Sequence, residues 1–237
     1  MNINNFFNID ERLMLLDEKI LAEISPRFKE TDDITEYNQL KMLSAFIKNG
    51  VTESAFAGST GYGYDDRGRE ILERVMADAM GAEDSLIRHN FVSGTHTLTV
   101  ALFGLLRPGD KVLVLTGRPY DTITGVFGID EKTDGSLADF GVEYHEIALL
   151  PDGTPDKAAI KKELAANAYK MAYIQRSRGY STRPSLTIEK IRELCDIVRE
   201  VSPQSIIMVD NCYGEFTEKQ EPCEVGADII AGSLIKN

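Results

Sequence analysis

The stretch Ser205-Ile206-Ile207-Met208-Val209-Asp210 places four consecutive apolar residues directly before a carboxylate. A short run of this composition is typical of a strand that is covered on both faces, as in a parallel sheet. Similar runs at 111–115, 142–147 and 171–174 predict further strands, and residues 229–235 predict a strand with its first turn. The stretch therefore predicts an inner strand of an α/β domain.

Segments with helical periodicity alternate with these strands. Four of them carry apolar residues at steps of three and four: residues 71–80, 94–107, 154–167 and 187–201. We expect Thr154 to cap its helix, with Pro155 at the first helical position. The first fifty residues predict two more helices, one over 9–24 and one after Asp32-Asp33. Together these elements predict an α/β fold of three layers, with a largely parallel sheet flanked by helices.

Composition excludes several classes of protein. Among 237 residues, 26 Lys and Arg stand against 38 Asp and Glu, a net charge of -12, which disfavours nucleic-acid and anionic-membrane binding. Apolar residues make up 43% and charged residues 27%, as in ordinary globular domains. No apolar run is long enough to span a membrane, no secretory signal is visible, and three cysteines make no disulfide framework. We therefore expect a cytoplasmic protein, and because the sequence stops just after the apolar segment 229–235, a fragment of a longer polypeptide.

Ligands of parallel sheets bind outside the carboxyl ends of the strands, and two candidate sites lie in such loops. Ser93-Gly94-Thr95 begins a helix, where free N–H groups and hydroxyls can cradle a phosphate; the alternative is a serine N-cap and nothing more. Tyr120 follows the strand at 111–115, where its ring can stack on a planar ligand or simply pack.

Two charged candidates follow the later strands. Asp210 ends the strand at 205–209 and needs a partner, because an unpaired buried charge is costly. It could be a metal ligand, a base, the partner of a protonated ring nitrogen, or a structural residue. Lys236 lies in an otherwise apolar segment, where lysine is rare unless it is used; a solvated lysine at the chain end is the alternative.

The order of these four elements predicts a specific cofactor. Pyridoxal phosphate needs a lysine for a Schiff base with its aldehyde and a carboxylate that keeps the pyridine nitrogen protonated. It also needs an aromatic ring to stack on and a helix N-terminus for its phosphate. The other site types are poorly supported: the three histidines have no metal-ligand spacing, and Gly61-Tyr62-Gly63 lacks the preceding strand of a dinucleotide-binding module.

Four strings of the sequence point to a known family: residues 93–97, 175–181, 209–216 and 231–237. They resemble fold-type I pyridoxal-phosphate enzymes and, more narrowly, the methionine γ-lyase-related family, which is also described as aluminium-resistance or cystathionine β-lyase-like proteins. The resemblance implies that Lys236 forms the Schiff base and that Asp210 pairs with the ring nitrogen. It implies that Tyr120 stacks on the ring, and that Ser93, Gly94, Thr95 and Ser233 hold the phosphate.

The chain departs from the family pattern in two places. The better-studied γ-lyases have a Tyr-x-Arg pair that contacts the phosphate of the neighbouring subunit, and the corresponding residues here are Tyr64 and Arg67, at a different spacing. Family members also carry a small C-terminal domain with an arginine for the substrate carboxylate, beyond the last residue here. The resemblance implies a homodimer or homotetramer, and residues 1–60 as an N-terminal helical segment before a cofactor-binding large domain, 61–237.

The resemblance implies a carbon–sulfur lyase that acts on a sulfur-containing amino acid by β- or γ-elimination. Lys236 would remove the α-proton, and Tyr120 could act as an acid toward the leaving group. The alternatives are an aminotransferase or aldolase of the same fold, or a non-catalytic relative that serves as an interaction protein. We expect Cys195 in the core, Cys212 in the pocket or in packing, and Glu215 and the acidic run 130–134 in solvent.

Overall fold

The computed structural model describes residues 6–59, 66–131 and 133–236. Its centre is a sheet of five parallel strands in the order β2-β1-β3-β4-β5. The strands are β1 (Lys111–Val114), β2 (Glu143–Glu146), β3 (Met171–Gln175), β4 (Ile206–Asp210) and β5 (Ile229–Ala231). Every predicted strand is present, with ends shifted by at most a few residues.

Six α-helices and two short 3-10 helices surround this sheet in the described part of the chain. The α-helices are α1 (Glu11–Lys48), α2 (Arg67–Met80), α3 (Gly94–Leu105), α4 (Asp121–Phe127), α5 (Lys157–Ala166) and α6 (Ile188–Val201); the 3-10 helices are Glu53–Phe56 and Pro222–Val225. One apolar cluster joins α5 and α6 to one face of the sheet, and a second joins α3 and α4 to the other. The predicted three-layer α/β fold is confirmed.

Alternation along the strands decides which side chains face the α3–α4 layer. Met171 and Tyr173 of β3 lie in the cluster with α3 and α4, whereas Ala172 and Ile174 lie in the cluster with α5 and α6. The same parity directs Gln175, at the end of β3, and Asp210, at the end of β4, toward the α3–α4 layer. The polar strand ends therefore converge on one side of the sheet.

The first fifty residues differ from the prediction, because they form one helix of 38 residues instead of two. Pro26 lies inside it and lacks the N–H of a normal helical residue. Two threonine hydroxyls donate to carbonyls one turn earlier, Thr31 to the Arg27 carbonyl at 3.1 Å and Thr35 to the Thr31 carbonyl at 2.8 Å, so both side chains bond within the one helix and do not cap a second one. Asp32-Asp33 consequently lies within the helix and caps nothing.

Two further local predictions are corrected. The N-cap of α5 is Asp156, whose carboxylate accepts the Ala159 N–H at 2.9 Å, whereas Pro155 makes an antiparallel bridge with Leu149. The short helix α4, directly after Tyr120, was not predicted, although two of its own residues, Ile123 and Phe127, are buried. Among the described residues, no helix has the length and apolar character needed to cross a membrane.

Candidate active site

The N-terminus of α3 lies against two other strand ends. Ser93 is its N-cap, with Oγ accepting the His96 N–H at 3.1 Å, and the Thr95 hydroxyl lies 2.8 Å from that of Thr122. A Cβ on Gly94 would lie 3.3 Å from both the Cys212 Sγ and the Ser233 Cβ. Glycine at this position therefore lets the helix start approach the segments after β4 and β5 closely.

Tyr120 lies at the point where the strand order reverses, between the carboxyl ends of β1 and β3, where open α/β sheets bind ligands. Its backbone N–H donates to the Gln175 Oε1 at 2.6 Å. The side chain at the end of β3 therefore holds the residue that precedes α4. Its ring centroid is 5.4 Å from that of Tyr180. A hydrogen bond with Tyr180, more than burial, raises the pKa of Tyr120 to about 12, so its phenol is protonated at neutral pH.

Asp210 is a buried carboxylate with neutral partners. It is 3% exposed, accepts the Tyr173 hydroxyl at 3.3 Å on Oδ2 and accepts the Cys212 N–H at 3.1 Å on Oδ1. Burial raises the pKa of Asp210, because desolvation disfavours the charged form more than these hydrogen bonds favour it. A cationic N–H from a ligand would stabilise the carboxylate, so the site fits a protonated pyridine nitrogen.

Lys236 is exposed and lies beside a residue that the sequence analysis did not nominate. Its Nζ donates to the Tyr213 hydroxyl at 3.3 Å and lies 4.9 Å from the centroid of that ring. The hydrogen bond to Tyr213 is the largest cause of the raised pKa of Lys236, and charge interactions with Cys212 and Tyr180 add to it. The lysine therefore lies among the residues that follow β3 and β4.

Tyr213 belongs to the β4 loop, which we define as residues 211–221. Two non-glycine residues of this loop, Tyr213 and Phe216, have left-handed backbones with φ of 68° and 58°. Such conformations are strained and persist only where the surroundings impose them, which is common at functional sites. The sequence signal that could have indicated Tyr213 is its place three residues after Asp210, in the same loop.

Arg176 anchors the β4 loop from inside. Its side chain is 3% exposed and donates to the Asn211 Oδ1 at 2.9 Å, the Gly214 carbonyl at 2.8 Å and the Glu218 Oε1 at 2.8 Å. Glu221, fully buried, accepts the Asn211 amide at 3.1 Å. Arg176, in the string at residues 175–181, therefore has a structural role: it holds the β4 loop, which carries Tyr213.

Glu215 is the clearest error of the sequence analysis at this site. We expected it in solvent, but it is 3% exposed and accepts the Ser233 N–H on Oε1 at 2.9 Å. Burial is the largest cause of its raised pKa. Its neighbourhood is the lysine turn, which we define as residues 232–236, so a carboxylate of the β4 loop holds the segment that carries Lys236.

The remaining nominated residues are placed as follows. Arg67 is exposed in the first turn of α2, which Asp66 caps, and Tyr64 lies outside the described residues. Cys195 is buried in the core, as predicted, and Cys212 is half-buried beside Gly94. In the part of the chain that the structure describes, no group of three or more His, Cys, Asp or Glu residues could hold a metal ion. The roles assigned to these residues, and the domain boundary at residue 60, stay predictions.

Comparison with known proteins identifies the relatives of this chain. A family model described as methionine gamma-lyase matches residues 13–237. The uncharacterized protein YnbB of Bacillus subtilis (strain 168) is 45% identical over 220 residues, which make up 92% of this chain and 52% of that protein. The chain thus spans about half the length of the curated relatives it matches.

Solved structures give the same result. A Listeria innocua protein, described as a candidate cystathionine beta-lyase involved in aluminium resistance, is 51% identical with a TM-score of 0.92, over 97% of this chain and 56% of that chain. The pyridoxal-5'-phosphate-dependent protein YhfS of Escherichia coli shares the fold at 19% identity and a TM-score of 0.63, over 83% of this chain and 50% of that chain. The predicted resemblance is confirmed, and the family indicates pyridoxal phosphate as the cofactor.

Proposed function

Because the chain belongs to the methionine gamma-lyase family, we propose that the whole protein is a pyridoxal-phosphate-dependent carbon–sulfur lyase. Its substrate would be a sulfur-containing amino acid that undergoes β- or γ-elimination. The Listeria innocua relative, at 51% identity, is described as a candidate lyase of this kind. The cofactor, when bound, acts as an electron sink for the electron pair left on the substrate α-carbon.

The observation that carries the proposal is the environment of Asp210. A carboxylate that is 3% exposed, with a tyrosine hydroxyl and a backbone N–H as partners, gains from a cationic neighbour. It ends β4 on the side of the sheet where α3 begins, so its ligand can also reach the N-terminus of α3. A protonated pyridine ring that carries a phosphate fits both positions.

Each remaining residue has a role that follows from its place. Ser93, Gly94 and Thr95 would bind the phosphate at the start of α3, with Ser233 beside them, because free N–H groups and the helix dipole favour an anion there. Tyr120 would lie against the ring, and its protonated phenol could donate a proton to the departing thiolate. The Lys236 amine would hold the cofactor at its aldehyde carbon and, once the substrate amine has displaced it, would be free to take the α-proton.

The test uses the whole protein. Purified protein should take up pyridoxal phosphate, absorb in the near-visible region, and become irreversibly labelled at Lys236 after borohydride reduction. With cystathionine or methionine it should release a thiol and a 2-oxo acid in equal amounts. A 2-oxo acid without thiol would indicate an aminotransferase, release of an aldehyde from a 3-hydroxy amino acid would indicate an aldolase, and a protein that stays colourless would overturn the proposal in favour of a non-catalytic relative.

We also propose that the protein works in the cytoplasm as a homodimer or homotetramer, with a small amino acid as ligand and no nucleic-acid or membrane partner. The exposed apolar side chains Leu13, Leu16, Ile20 and Ile24 support self-association, because they recur at steps of three and four on α1. Closed two-fold assemblies are the commonest form of soluble oligomers. Tyr64 and Arg67 would contact the phosphate of the neighbouring subunit.

Light scattering tests the assembly. A Leu16→Asp, Ile20→Asp double variant should lower the molecular mass to that of a monomer, whereas the control Lys19→Asp, also on α1, should keep the oligomer. A wild-type protein that is monomeric at micromolar concentration would overturn this part of the proposal.

A further inference from the structure

Glu215 brings the β4 loop and the lysine turn into direct contact. Its Oε1 accepts the Ser233 N–H at 2.9 Å, and a Cβ added to Gly232 would lie only 2.3 Å from the same oxygen. The backbone at 232–233 therefore lies against the carboxylate, and glycine at 232 is required for the approach.

The lysine turn is fixed at Ser233. The Lys236 N–H donates to the Ser233 carbonyl at 3.1 Å, which closes the turn, and the Ser233 N–H is the group that Glu215 binds. Ser233 also has its Cβ 3.3 Å from the place of a Cβ on Gly94, at the start of α3. A shift of Ser233 would consequently move Lys236 relative to both the β4 loop and the phosphate-binding end of α3.

Glu215 is itself held on both sides along the chain. The carbonyl of Gly214, which precedes it, accepts the Arg176 Nη1 at 2.8 Å. The N–H of Phe216, which follows it, donates to the Glu221 Oε1 at 2.7 Å. Buried groups thus fix the residues before and after Glu215, so its carboxylate is a rigid support for the lysine turn.

Burial of the Glu215 carboxylate costs hydration free energy. Glu215 is 3% exposed, and a buried carboxylate is retained only where its hydrogen bonds offset the lost hydration. A short side chain at this position could not reach the Ser233 N–H. A need for the hydrogen bond to the Ser233 N–H, which fixes the position of Lys236, would explain why a buried carboxylate is retained here.

We propose that Glu215 is a positioning residue, which holds the Ser233 N–H and thereby sets the place of Lys236 relative to the cofactor site. The inference rests on the proposed function as far as the cofactor is concerned. The hold on the lysine turn is a property of the chain alone and can be measured without the cofactor.

The experiment compares Glu215→Ala with Glu215→Gln in the whole protein. Gln keeps an oxygen that can accept the Ser233 N–H, whereas Ala removes it. In the cofactor-free protein, hydrogen exchange of the peptide that covers the lysine turn should speed up at least tenfold in Glu215→Ala and stay within about twofold of wild type in Glu215→Gln. The covalent attachment rate of pyridoxal phosphate at Lys236, measured by borohydride trapping, should fall by at least about tenfold in the Ala variant only.

A second variant keeps the proposal testable where Glu215→Ala does not fold. Gly232→Ala leaves the carboxylate in place but pushes the turn away from it, and it should show the same faster exchange and slower attachment. Glu163→Ala is the matched control, because Glu163 is also a glutamate that accepts a hydrogen bond, from the Tyr169 hydroxyl at 2.6 Å, but it belongs to α5 and takes no part in the support of Glu215.

Each outcome has one meaning. Unchanged exchange in Glu215→Ala would overturn the hold on the turn, and changed exchange with unchanged attachment would overturn its relevance to Lys236. Equal losses in the Ala and Gln variants would show that the charge matters and the hydrogen bond does not, which also overturns the proposal. A wild-type protein that never attaches the cofactor would contradict the proposed function, while the exchange result would still decide the structural part.

Discussion

The β4 loop and the lysine turn meet at the same edge of the sheet, but they are held in opposite ways. The β4 loop is fixed from inside by Arg176, 3% exposed, and by Glu221, which is fully buried. The lysine turn is exposed at Leu234, Ile235 and Lys236, and the β4 loop holds it through Glu215 and Tyr213. We therefore expect the loop to determine stability and the turn to determine chemistry.

Lys236→Ala should give the largest chemical effect and leave the fold unchanged. The side chain is exposed, so its removal creates no cavity and should leave the denaturation midpoint where it is. Covalent attachment of pyridoxal phosphate should be lost completely, because under the proposed function Lys236 supplies the amine. Mass spectrometry after borohydride reduction measures the attachment, and a label on another lysine at the wild-type level would contradict the assignment.

Asp210→Asn should come next, and it should separate chemistry from binding. A neutral amide cannot keep the ring nitrogen protonated, so exchange of the substrate α-proton should slow by about a hundred- to a thousandfold while some cofactor still binds. Asp228→Asn is the control, because Asp228 bonds to the Ile207 N–H and pairs with Arg199, before β5 and away from the site. Wild-type exchange in Asp210→Asn would make the carboxylate a packing residue.

Arg176→Ala should show the converse pattern, with its main effect on stability. It leaves Glu221, Glu218 and the Gly214 carbonyl without their buried cation, and removal of one member of a buried pair costs about 3–5 kcal/mol. Chemical denaturation of the whole protein measures the loss. Arg192→Ala, which breaks only a 3.1 Å bond to Gln220 on the surface, should change the free energy of unfolding little. Equal losses of unfolding free energy in the two variants would contradict the expectation that the buried anchor of the β4 loop determines stability.

The fold was predictable from the sequence because its signals are local and strong. The apolar run at 206–209 can be covered on both faces only inside a sheet, and the cap Ser93 was recognisable from its residue type at the start of a periodic segment. The continuous α1 was missed because Asp32-Asp33 is an ordinary helix start by sequence. In the structure the hydroxyls of Thr31 and Thr35 bond back to carbonyls of the same helix and do not cap a new one, which spacing alone does not reveal.

The sequence predicts candidate site residues but not the residues that hold them in place. Asp210, Tyr120 and Ser93 each follow a strand or start a helix, so their chemistry can be inferred from the chain order. Glu215 was placed in solvent because a glutamate is usually exposed, and only the fold shows that its carboxylate meets the Ser233 N–H, 18 residues later. Long-range contacts of this kind leave no periodic signal in the sequence.

The last and smallest effect concerns the contact between Tyr213 of the β4 loop and Lys236 of the lysine turn. The hydrogen bond to the Tyr213 hydroxyl raises the pKa of Lys236, because it favours the ammonium form. Only the neutral amine attacks an aldehyde, so the attachment rate in cofactor-free protein should rise about tenfold per pH unit between pH 7 and 9.

Tyr213→Phe keeps the ring below Nζ but removes the hydroxyl. It should lower the pKa of Lys236 and speed attachment at pH 7.5 by about two- to fivefold, less than a short buried hydrogen bond to a charged group would give, because the contact is 3.3 Å long and the lysine is exposed. Tyr180→Phe is the control, since Tyr180 acts on Lys236 only through a weaker charge interaction and should change the rate less. A slower attachment in Tyr213→Phe, with an unchanged pH profile, would mean that the hydroxyl positions the lysine and that its effect on protonation is minor.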